Sequence, residues 1–322
     1  MFRYAGLATH RERRNSAEGS ASQMSDTPVG ALTSNTKRHA SFLAFVVISS
    51  LAFYRILSAL AKYSLNDDSS SYIILIPLVA FSLLYMERQI VFSTTETSIG
   101  PGTSVILGGM ILFYLANRGP FPKGGNWPLT LETMSIVLVW IGGFLLCYGF
   151  VALRAGAFPL LFLLLMVPLP DVVLNWCIHG LQEGSTEIAY LIFQGVGIPV
   201  WRHGFLLSVP GITIEVAKEC SSIRSSTALF ITCLLAAHLY LRTGWKMLLF
   251  VLLSIPLSVV KNGIRIATLT LLSIYVDPSF LTGSLHRKGG FVFFLMALLI
   301  LLPVFLYLKK SDRPHTSVNS AA

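Results

Sequence analysis

Three residues with the chemistry of a thiol enzyme stand in short polar segments of an otherwise apolar sequence: Cys220, Arg265 and His286. A thiol becomes a strong nucleophile as a thiolate, and a helix N-terminus or a nearby cation favours that form. A histidine can take the thiol proton and return it to a leaving amine. An arginine can stabilise the oxyanion of a tetrahedral intermediate. Together these residue types indicate acyl transfer through a cysteine.

Each member of this trio also has a simpler interpretation. Cys220 could be a packed thiol, or it could form a disulfide with Cys177. Arg265 could bind a lipid phosphate at the membrane interface. His286 could belong to a solvated basic loop, because Arg287 follows it directly. The residues by themselves leave these alternatives open.

Further polar residues flank the trio. Arg224 lies just inside a predicted membrane span, where a charge is costly and needs a partner such as Glu219 or Glu215. Asn262 stands in the same short segment as Arg265, so Arg224, Glu219 and Asn262 are supporting candidates. The four cysteines show neither a CxxC pair nor zinc-finger spacing, and we therefore expect no metal and no cofactor.

The composition indicates a membrane protein. Of the 322 residues, 54% are hydrophobic and only 12% are charged, whereas an average soluble domain has about 25% charged residues. The mean hydropathy is +0.69. A helix needs about 20 apolar residues to cross a bilayer, and several runs approach or reach that length. These features predict an all-α polytopic membrane protein with about eight transmembrane helices, lying near 41–60, 72–86, 103–117, 134–152, 156–174, 222–241, 245–263 and 290–308.

The segment 175–220 differs from the rest and is predicted to be an extracytoplasmic insert. The stretch Trp176 to Phe193 has helical spacing that suits an amphipathic helix at the membrane surface. Turn signals then separate Phe205–Val209 from Ile212–Val216, which predicts a β-hairpin. We therefore divide the chain into a disordered cytoplasmic tail (1–39), a transmembrane domain that contains the insert (40–310) and a second cytoplasmic tail (311–322). The apolar stretch after 263 leaves open whether the seventh helix protrudes or breaks near Asn262–Gly263.

Lysine and arginine placement predicts the orientation, with both termini in the cytoplasm. The net charge of +9 follows from this topology, since the basic residues are spread along loops, and we expect no nucleic-acid partner. The basic residues that break the positive-inside pattern cluster at three places, at one depth near the outer membrane boundary. They are Lys218, Arg224, Lys261, Arg265, Arg287 and Lys288. This clustering predicts an outer-face site in which the cysteine, the arginine and the histidine converge.

The order of short motifs resembles the exosortase/archaeosortase family of membrane-embedded cysteine transpeptidases. The likeness covers about residues 66 to 308, from Asn66-Asp67-Asp68 with Ile76-Pro77 and Met166-Val167-Pro168-Leu169-Pro170, through the cysteine segment 216–224 and the arginine segment 262–266 preceded by Pro256, to His286 with Gly289-Gly290. The resemblance implies that Cys220 is the nucleophile, Arg265 the stabilising cation and His286 the acid/base. Two departures stand out: Cys220-Ser221-Ser222 replaces the family's Cys-Ser-Gly, and Tyr72-Ile73 replaces a His-Gly pair.

The resemblance also implies partners and a location. Family substrates are exported proteins whose C-terminus carries a short motif, a transmembrane helix and a basic tail. The enzyme cuts near the motif, and an envelope glycan or lipid accepts the protein. The expected location is the bacterial inner (plasma) membrane, in contact with membrane lipid, with the active site extracytoplasmic. Two alternatives remain: a non-enzymatic membrane component of exopolysaccharide export or assembly, and a transporter, which the scarcity of polar residues in several spans disfavours.

Overall fold

The computed structural model describes residues 29–93, 96–119, 125–218, 222–281 and 290–312. The described residues are mainly helical and form two compact units. One unit contains the described residues of Met1–Leu60, Leu75–Phe121 and Pro128–Val167, and the other those of Ala61–Ile74, Pro122–Trp127 and Pro168–Ala322. The described residues thus have the all-α polytopic architecture that the composition predicts, together with a small β-sheet.

The helices of the first half of the chain are numbered in chain order. They are α1 (Val29–Ala52), α2 (Tyr54–Asn66), α3 (Leu75–Met86), the short α4 (Arg88–Val91), α5 (Ile99–Arg118), α6 (Trp127–Ala155) and α7 (Ala157–Phe162). Two 3-10 turns, Asp68–Ser70 and Leu163–Met166, follow α2 and α7. Aromatic residues of α1 and α6 form much of the core of the first unit, where Phe42 packs edge-on against Phe144 and Tyr148.

The second half of the chain supplies the elements of the second unit. They are α8 (Asp171–Gly195), β1 (Trp201–His203), β2 (Leu206–Val209), β3 (Ile212–Glu215), α9 (Ile223–Tyr240), α10 (Gly244–Tyr275), a 3-10 turn (Pro278–Leu281) and α11 (Gly290–Ser311). Helices α9, α10 and α11 share one apolar core. A second apolar core joins α8, the sheet and α10.

The number of candidate membrane spans differs from the predicted eight. Among the described residues, 5 helices are long and apolar enough to cross a bilayer, or up to 7 if each of two bent pairs counts as one span. Helix α3 has 12 residues, which gives a length of about 18 Å, short of the ~30 Å hydrocarbon core. The apolar run at 72–86 thus contains a helix, but this helix is too short to cross the bilayer by itself.

The predicted span at 41–60 is broken after Ala52. Helices α1 and α2 meet at an angle of 75°. One turn before the break, Ser49 and Ser50 both donate hydroxyl hydrogen bonds to the Val46 carbonyl, at 3.0 and 2.6 Å. Such bonds back onto the preceding turn often bend helices. Helix α1 also begins at Val29, so the boundary predicted between residues 39 and 40 lies inside this helix, whose early residues include good helix formers.

The predicted span at 156–174 is broken as well. The stretch Ala157–Met166 and helix α8 are separate helical stretches with a break of no more than 4 residues between them. Pro168 and Pro170 lie in this break, where the missing N–H of proline and the clash of its ring exclude a continuous helix. Asn126 then fixes the start of α8, because its side-chain oxygen accepts the Asp171 N–H at 2.9 Å while its own N–H donates to the Asp171 carboxylate at 2.8 Å.

Helix α10 is continuous through Asn262–Gly263. Its 32 residues give a length of about 48 Å, so a simple crossing of a ~30 Å core leaves part of it outside. Pro256 lies within it without ending it. Of the two alternatives that the sequence left open, the unbroken helix is the one that occurs.

The segment between α8 and α9 forms a three-stranded antiparallel sheet in place of the two-stranded hairpin that we predicted. Strand β2 pairs with β3, with Leu207 opposite Ile214, and β1 pairs with the other edge of β2. Gly204 and Gly211 have φ values of 60° and 89°, a backbone region that favours glycine and that both turns require. The sequence missed β1 because three residues, Trp201–His203, are too few to show an alternating pattern.

Candidate functional site

The candidate site lies where α8, α9 and α10 meet. Helix α8 buries one stripe at helical spacing, comprising Ile178, Gln182, Ser185, Thr186, Ala189 and Phe193. The small residues on both helices allow α8 and α10 to approach closely, and a Cβ at Gly263 would lie 2.5 Å from the Cβ of Ile188. The close approach brings polar side chains of α10 into contact with those of α8.

A buried chain of hydrogen bonds joins the three helices through Ser222. The Arg265 guanidinium donates from Nη1 to Ser222 Oγ at 2.6 Å. The Ser222 hydroxyl donates in turn to Asn262 Oδ1 at 2.6 Å. Asn262 Nδ2 donates to Ser185 Oγ on α8 at 3.0 Å. Asn262 is 0% exposed and Ser222 8%, so these bonds lie largely out of water, where an unmet polar group is costly.

The backbone of Ser222 is unusual. Its φ of 55° and ψ of 27° place it in the left-handed region, and it is the sole non-glycine with positive φ among the described residues. For residues other than glycine this conformation costs about 1–2 kcal/mol. Ser222 caps the N-terminus of α9, yet its side chain makes no capping hydrogen bond to the helix. Its hydroxyl instead makes hydrogen bonds to side chains of α10.

A second pair of contacts joins α9 and α10 one turn away. The ammonium of Lys261 donates to Ser225 Oγ at 2.5 Å, and Lys261 is 1% exposed. The Ser225 hydroxyl also donates to the Ser222 carbonyl at 3.1 Å. Two cationic side chains, Lys261 and Arg265, therefore lie against the first turn of α9. Positive charge concentrated at this helix N-terminus favours anions and anionic transition states there.

The chain that leads toward α9 is held from the other side. Gln182 on α8 donates to the Val216 carbonyl at 2.8 Å, and the Val216 N–H donates to the Phe205 carbonyl at 3.0 Å. Val216 is 1% exposed. The described residues before and after positions 219–221 are thus both fixed, Val216 by α8 and the sheet, and Ser222 by α10.

A short loop of the same unit, after α2, contacts α9 through its 3-10 turn. Asp67 accepts hydrogen bonds from the Ser69 N–H at 3.0 Å and from the Ser69 and Ser70 hydroxyls at 2.6 and 2.9 Å. Burial acts to raise the pKa of Asp67, but these hydrogen bonds outweigh it and hold the pKa below its usual value.

Of the predicted site residues, Arg224, Asn262 and Arg265 are described, and the structure brings the last two to Ser222. Cys220, Glu219 and His286 lie outside the described residues. Arg224 is exposed on the first turn of α9. A charged side chain near a helix end can turn toward water.

Two other expectations concern cysteines and metals. Cys177, considered above as a disulfide partner, is a free thiol. Within the described part of the chain, no cluster of three or more histidine, cysteine, aspartate or glutamate side chains could hold a metal ion.

The order and placement of these segments agree with one family of membrane proteins. The family model described as transmembrane exosortase matches residues 64–303, more than half of the chain. The chain belongs to the transmembrane exosortase family. Neither a curated protein nor a solved structure matches it. The matched range contains the whole site around Ser222, including α8 and α10.

Several polar residues of this chain were not singled out by their sequence pattern. Ser225 looks like an ordinary serine at a helix start, and Ser185 and Gln182 look like polar residues on an amphipathic helix. Ser222 stood out only as a departure from the family's Cys-Ser-Gly. The one signal in the sequence was the spacing of Gln182, Ser185 and Ala189, which places small and polar residues on one face of α8. The sequence of α8 alone does not show that this face is buried against another helix.

Proposed function

We propose that this exosortase is a membrane cysteine transpeptidase or protease with Cys220 as nucleophile, Arg265 as stabilising cation and His286 as acid/base. Its substrates are exported proteins with a C-terminal sorting signal, and it works at the outer face of the bacterial inner membrane. An envelope glycan or lipid accepts the released protein. Family membership supports the type of reaction, and the positive-inside pattern supports the side of the membrane.

The observation that carries the proposal is the contact between Arg265 Nη1 and Ser222 Oγ, at 2.6 Å. Ser222 follows Cys220 by two positions in the sequence, and two residues of chain span at most about 7 Å. The arginine therefore contacts the immediate sequence neighbourhood of the cysteine, at the start of α9. A helix N-terminus with adjacent cations is the environment in which a thiolate is favoured.

In the proposed reaction, His286 accepts the thiol proton and the thiolate sulfur attacks the carbonyl carbon of the scissile peptide bond. Arg265 stabilises the negative oxygen of the tetrahedral intermediate. The C–N bond breaks, and the leaving amine takes the proton from His286. A hydroxyl or amine of the acceptor, or water, then attacks the thioester and restores the thiol.

The test follows cleavage of a tail. Wild type and Cys220→Ala are expressed in a bacterial membrane with a candidate substrate that carries a sorting motif, a transmembrane helix and a basic tail, and the tail is detected by blotting. Wild type should cut the tail, whereas Cys220→Ala should leave it uncut. Cys177→Ala is the matched control, because Cys177 is a free thiol on α8, and it should cut as wild type does.

Two results would contradict the proposal. Cleavage by Cys220→Ala at the wild-type rate would remove the cysteine from the reaction. An uncut tail in the wild type, with a substrate verified to be its natural partner, would support a non-enzymatic role in exopolysaccharide export or assembly.

A further inference from the structure

The geometry points to Ser222 as a positioning residue, whose hydroxyl holds the guanidinium of Arg265 in the orientation needed at the start of α9. This inference rests on the proposed function, since it assigns Ser222 a role toward the arginine that stabilises the oxyanion. It concerns the position at which this chain has serine where the family's Cys-Ser-Gly has glycine.

The first support is the use of the Ser222 hydroxyl. Serine is common at the N-terminus of a helix because its oxygen accepts a hydrogen bond from the first turn. Here the side chain makes no such bond. The hydroxyl instead accepts from Arg265 Nη1 and donates to Asn262 Oδ1, both at 2.6 Å. It therefore acts as a bridge between two side chains of α10, which leaves the cap of α9 to other groups.

The second support is the backbone. A φ of 55° is one that glycine adopts freely and that serine adopts at a cost. If the position required only the turn, glycine would serve it better. Strained backbone conformations persist where the surroundings fix them, and they concentrate at functional sites. Serine carries a hydroxyl that glycine lacks. The strained backbone of Ser222 is therefore explained by the two hydrogen bonds that this hydroxyl makes.

The third support is that the bridge is anchored in a buried part of the unit. Asn262 is bonded to Ser185 of α8 at 3.0 Å, and it is 0% exposed. The chain Ser185–Asn262–Ser222 thus fixes Arg265 relative to α8 as well as to α9. Small displacements of a group that acts in a transition state lower the rate steeply, by as much as about 100-fold for 1 Å.

The experiment separates the hydroxyl from the backbone. Ser222→Gly and Ser222→Ala both remove the hydroxyl, but only glycine relieves the positive φ. We expect kcat for tail cleavage to fall about 10- to 100-fold in both variants, with KM changed less than about twofold because substrate binding does not use the hydroxyl. The melting temperature of Ser222→Gly should exceed that of Ser222→Ala. With this result, kcat would depend on the hydroxyl, and the melting temperature would depend on the backbone conformation.

Ser254→Ala is the matched control, because Ser254 is a buried serine of α10 whose hydroxyl bonds its own helix at the Val251 carbonyl oxygen, 2.6 Å away. It should keep the wild-type kcat. A wild-type kcat in Ser222→Gly would overturn the inference, since the serine would then be only a tolerated residue at a turn.

A second measurement does not depend on activity. Phenylglyoxal modifies arginine side chains, and mass spectrometry of the full chain in detergent gives the rate at Arg265. The rate should rise severalfold in Ser222→Gly and Ser222→Ala and stay unchanged in Ser254→Ala. Equal rates in wild type and Ser222→Gly would overturn the positioning role, whether or not the wild type cuts a tail. A wild type that fails to cut would instead count against the proposed function.

Discussion

At the scale of single residues, the most unusual side chain of the site is that of Lys261. It is 1% exposed, and within the described residues its ammonium has Ser225 Oγ as its hydrogen-bond partner, at 2.5 Å. Charged groups in the interior are normally paired with an opposite charge. Ionisable residues within membrane spans are costly and mark functional sites. The pair Lys261–Ser225 thus lends positive charge to the start of α9 at the expense of stability.

A double-mutant cycle tests that description. Ser225→Ala leaves the Lys261 ammonium without its hydroxyl partner, and the free energy of unfolding should fall by about 1–3 kcal/mol. Lys261→Met removes the buried charge while keeping an unbranched side chain, so adding it to Ser225→Ala should recover most of that loss. Unfolding of the full chain in detergent gives these values.

Ser258→Ala serves as the control for this cycle, because the Ser258 hydroxyl bonds the Ser254 carbonyl of its own helix, at 2.8 Å. The effects of Lys261→Met and Ser258→Ala on the free energy of unfolding should simply add. A simple sum of the two effects at Ser225 and Lys261 would contradict the pairing.

At the scale of the elements, the contact between α8 and α10 decides where Arg265 lies. Gly263 faces α8, and Gly184 faces α10, where an added Cβ would lie 2.7 Å from Val259 Cγ1. Small residues at a helix–helix interface in a membrane allow the backbones to approach closely and hydrogen bonds to form between helices. The bond between Asn262 and Ser185 is one that this approach permits.

Gly263→Ala should therefore separate α8 and α10. The added Cβ would lie 2.5 Å from Ile188 Cβ and 3.1 Å from the Ser185 carbonyl. Overpacking of this kind costs about 1–3 kcal/mol, and tail cleavage should fall because Arg265 moves with α10.

The matched control is Gly180→Ala on α8, where an added Cβ meets nothing within 4 Å. It should keep activity and raise stability by about 0.5–1 kcal/mol, as alanine does in an open helical position. If Gly263→Ala behaved as Gly180→Ala does, the close approach would not be needed.

At the scale of the whole molecule, the chain is a multi-pass membrane protein whose last helix is tied back to an earlier turn. Asp312, just after α11, accepts hydrogen bonds from the Arg242 N–H and from the Thr243 hydroxyl, and from the Thr243 N–H at 3.2 Å. Its carboxylate also lies 3.2 Å from the Lys246 ammonium. This contact, which we call the C-terminal clasp, joins the end of α11 to the turn between α9 and α10.

The C-terminal clasp predicts a pH dependence. The hydrogen bonds from the Thr243 hydroxyl and the Arg242 N–H hold the pKa of Asp312 well below its usual value. A carboxyl whose pKa is lower in the folded state contributes its full stability above the unfolded pKa of about 3.9, and loses it as the pH falls through the folded pKa. Asp312→Asn should therefore lower the melting temperature between about pH 5 and 8 by a constant amount. The difference from wild type should shrink below about pH 4.

Glu183→Gln provides the comparison for the clasp, because the Glu183 side chain is 65% exposed and its ion-pair contact with His179 is long, at 3.9 Å. It should leave the melting temperature unchanged. Equal melting temperatures for wild type and Asp312→Asn at neutral pH would show that the clasp does not stabilise the molecule.

The sequence by itself determined the class of protein and its family. Low charge and long apolar runs indicate a protein that is embedded in the bilayer. The order of the motifs around Arg265 identified the family that the match over 64–303 shows. These properties depend on composition and local order, which the sequence contains directly. The helix start near Ser222 and the helical stretch from Trp176 to Phe193 were predictable for the same reason.

Only the tertiary structure decided where apolar runs bend and which polar side chains meet. Two predicted spans are broken, one near the serines at the end of α1 and one at the prolines before α8. A hydropathy profile averages over such residues and does not report a change in helix direction. Ser222 bonds to Arg265 and Asn262, which lie 43 and 40 positions further along the chain, and this bridge exists because α8 and α10 approach closely at their glycines. Contacts between distant helices depend on how their faces pack, and no short stretch of sequence contains that information.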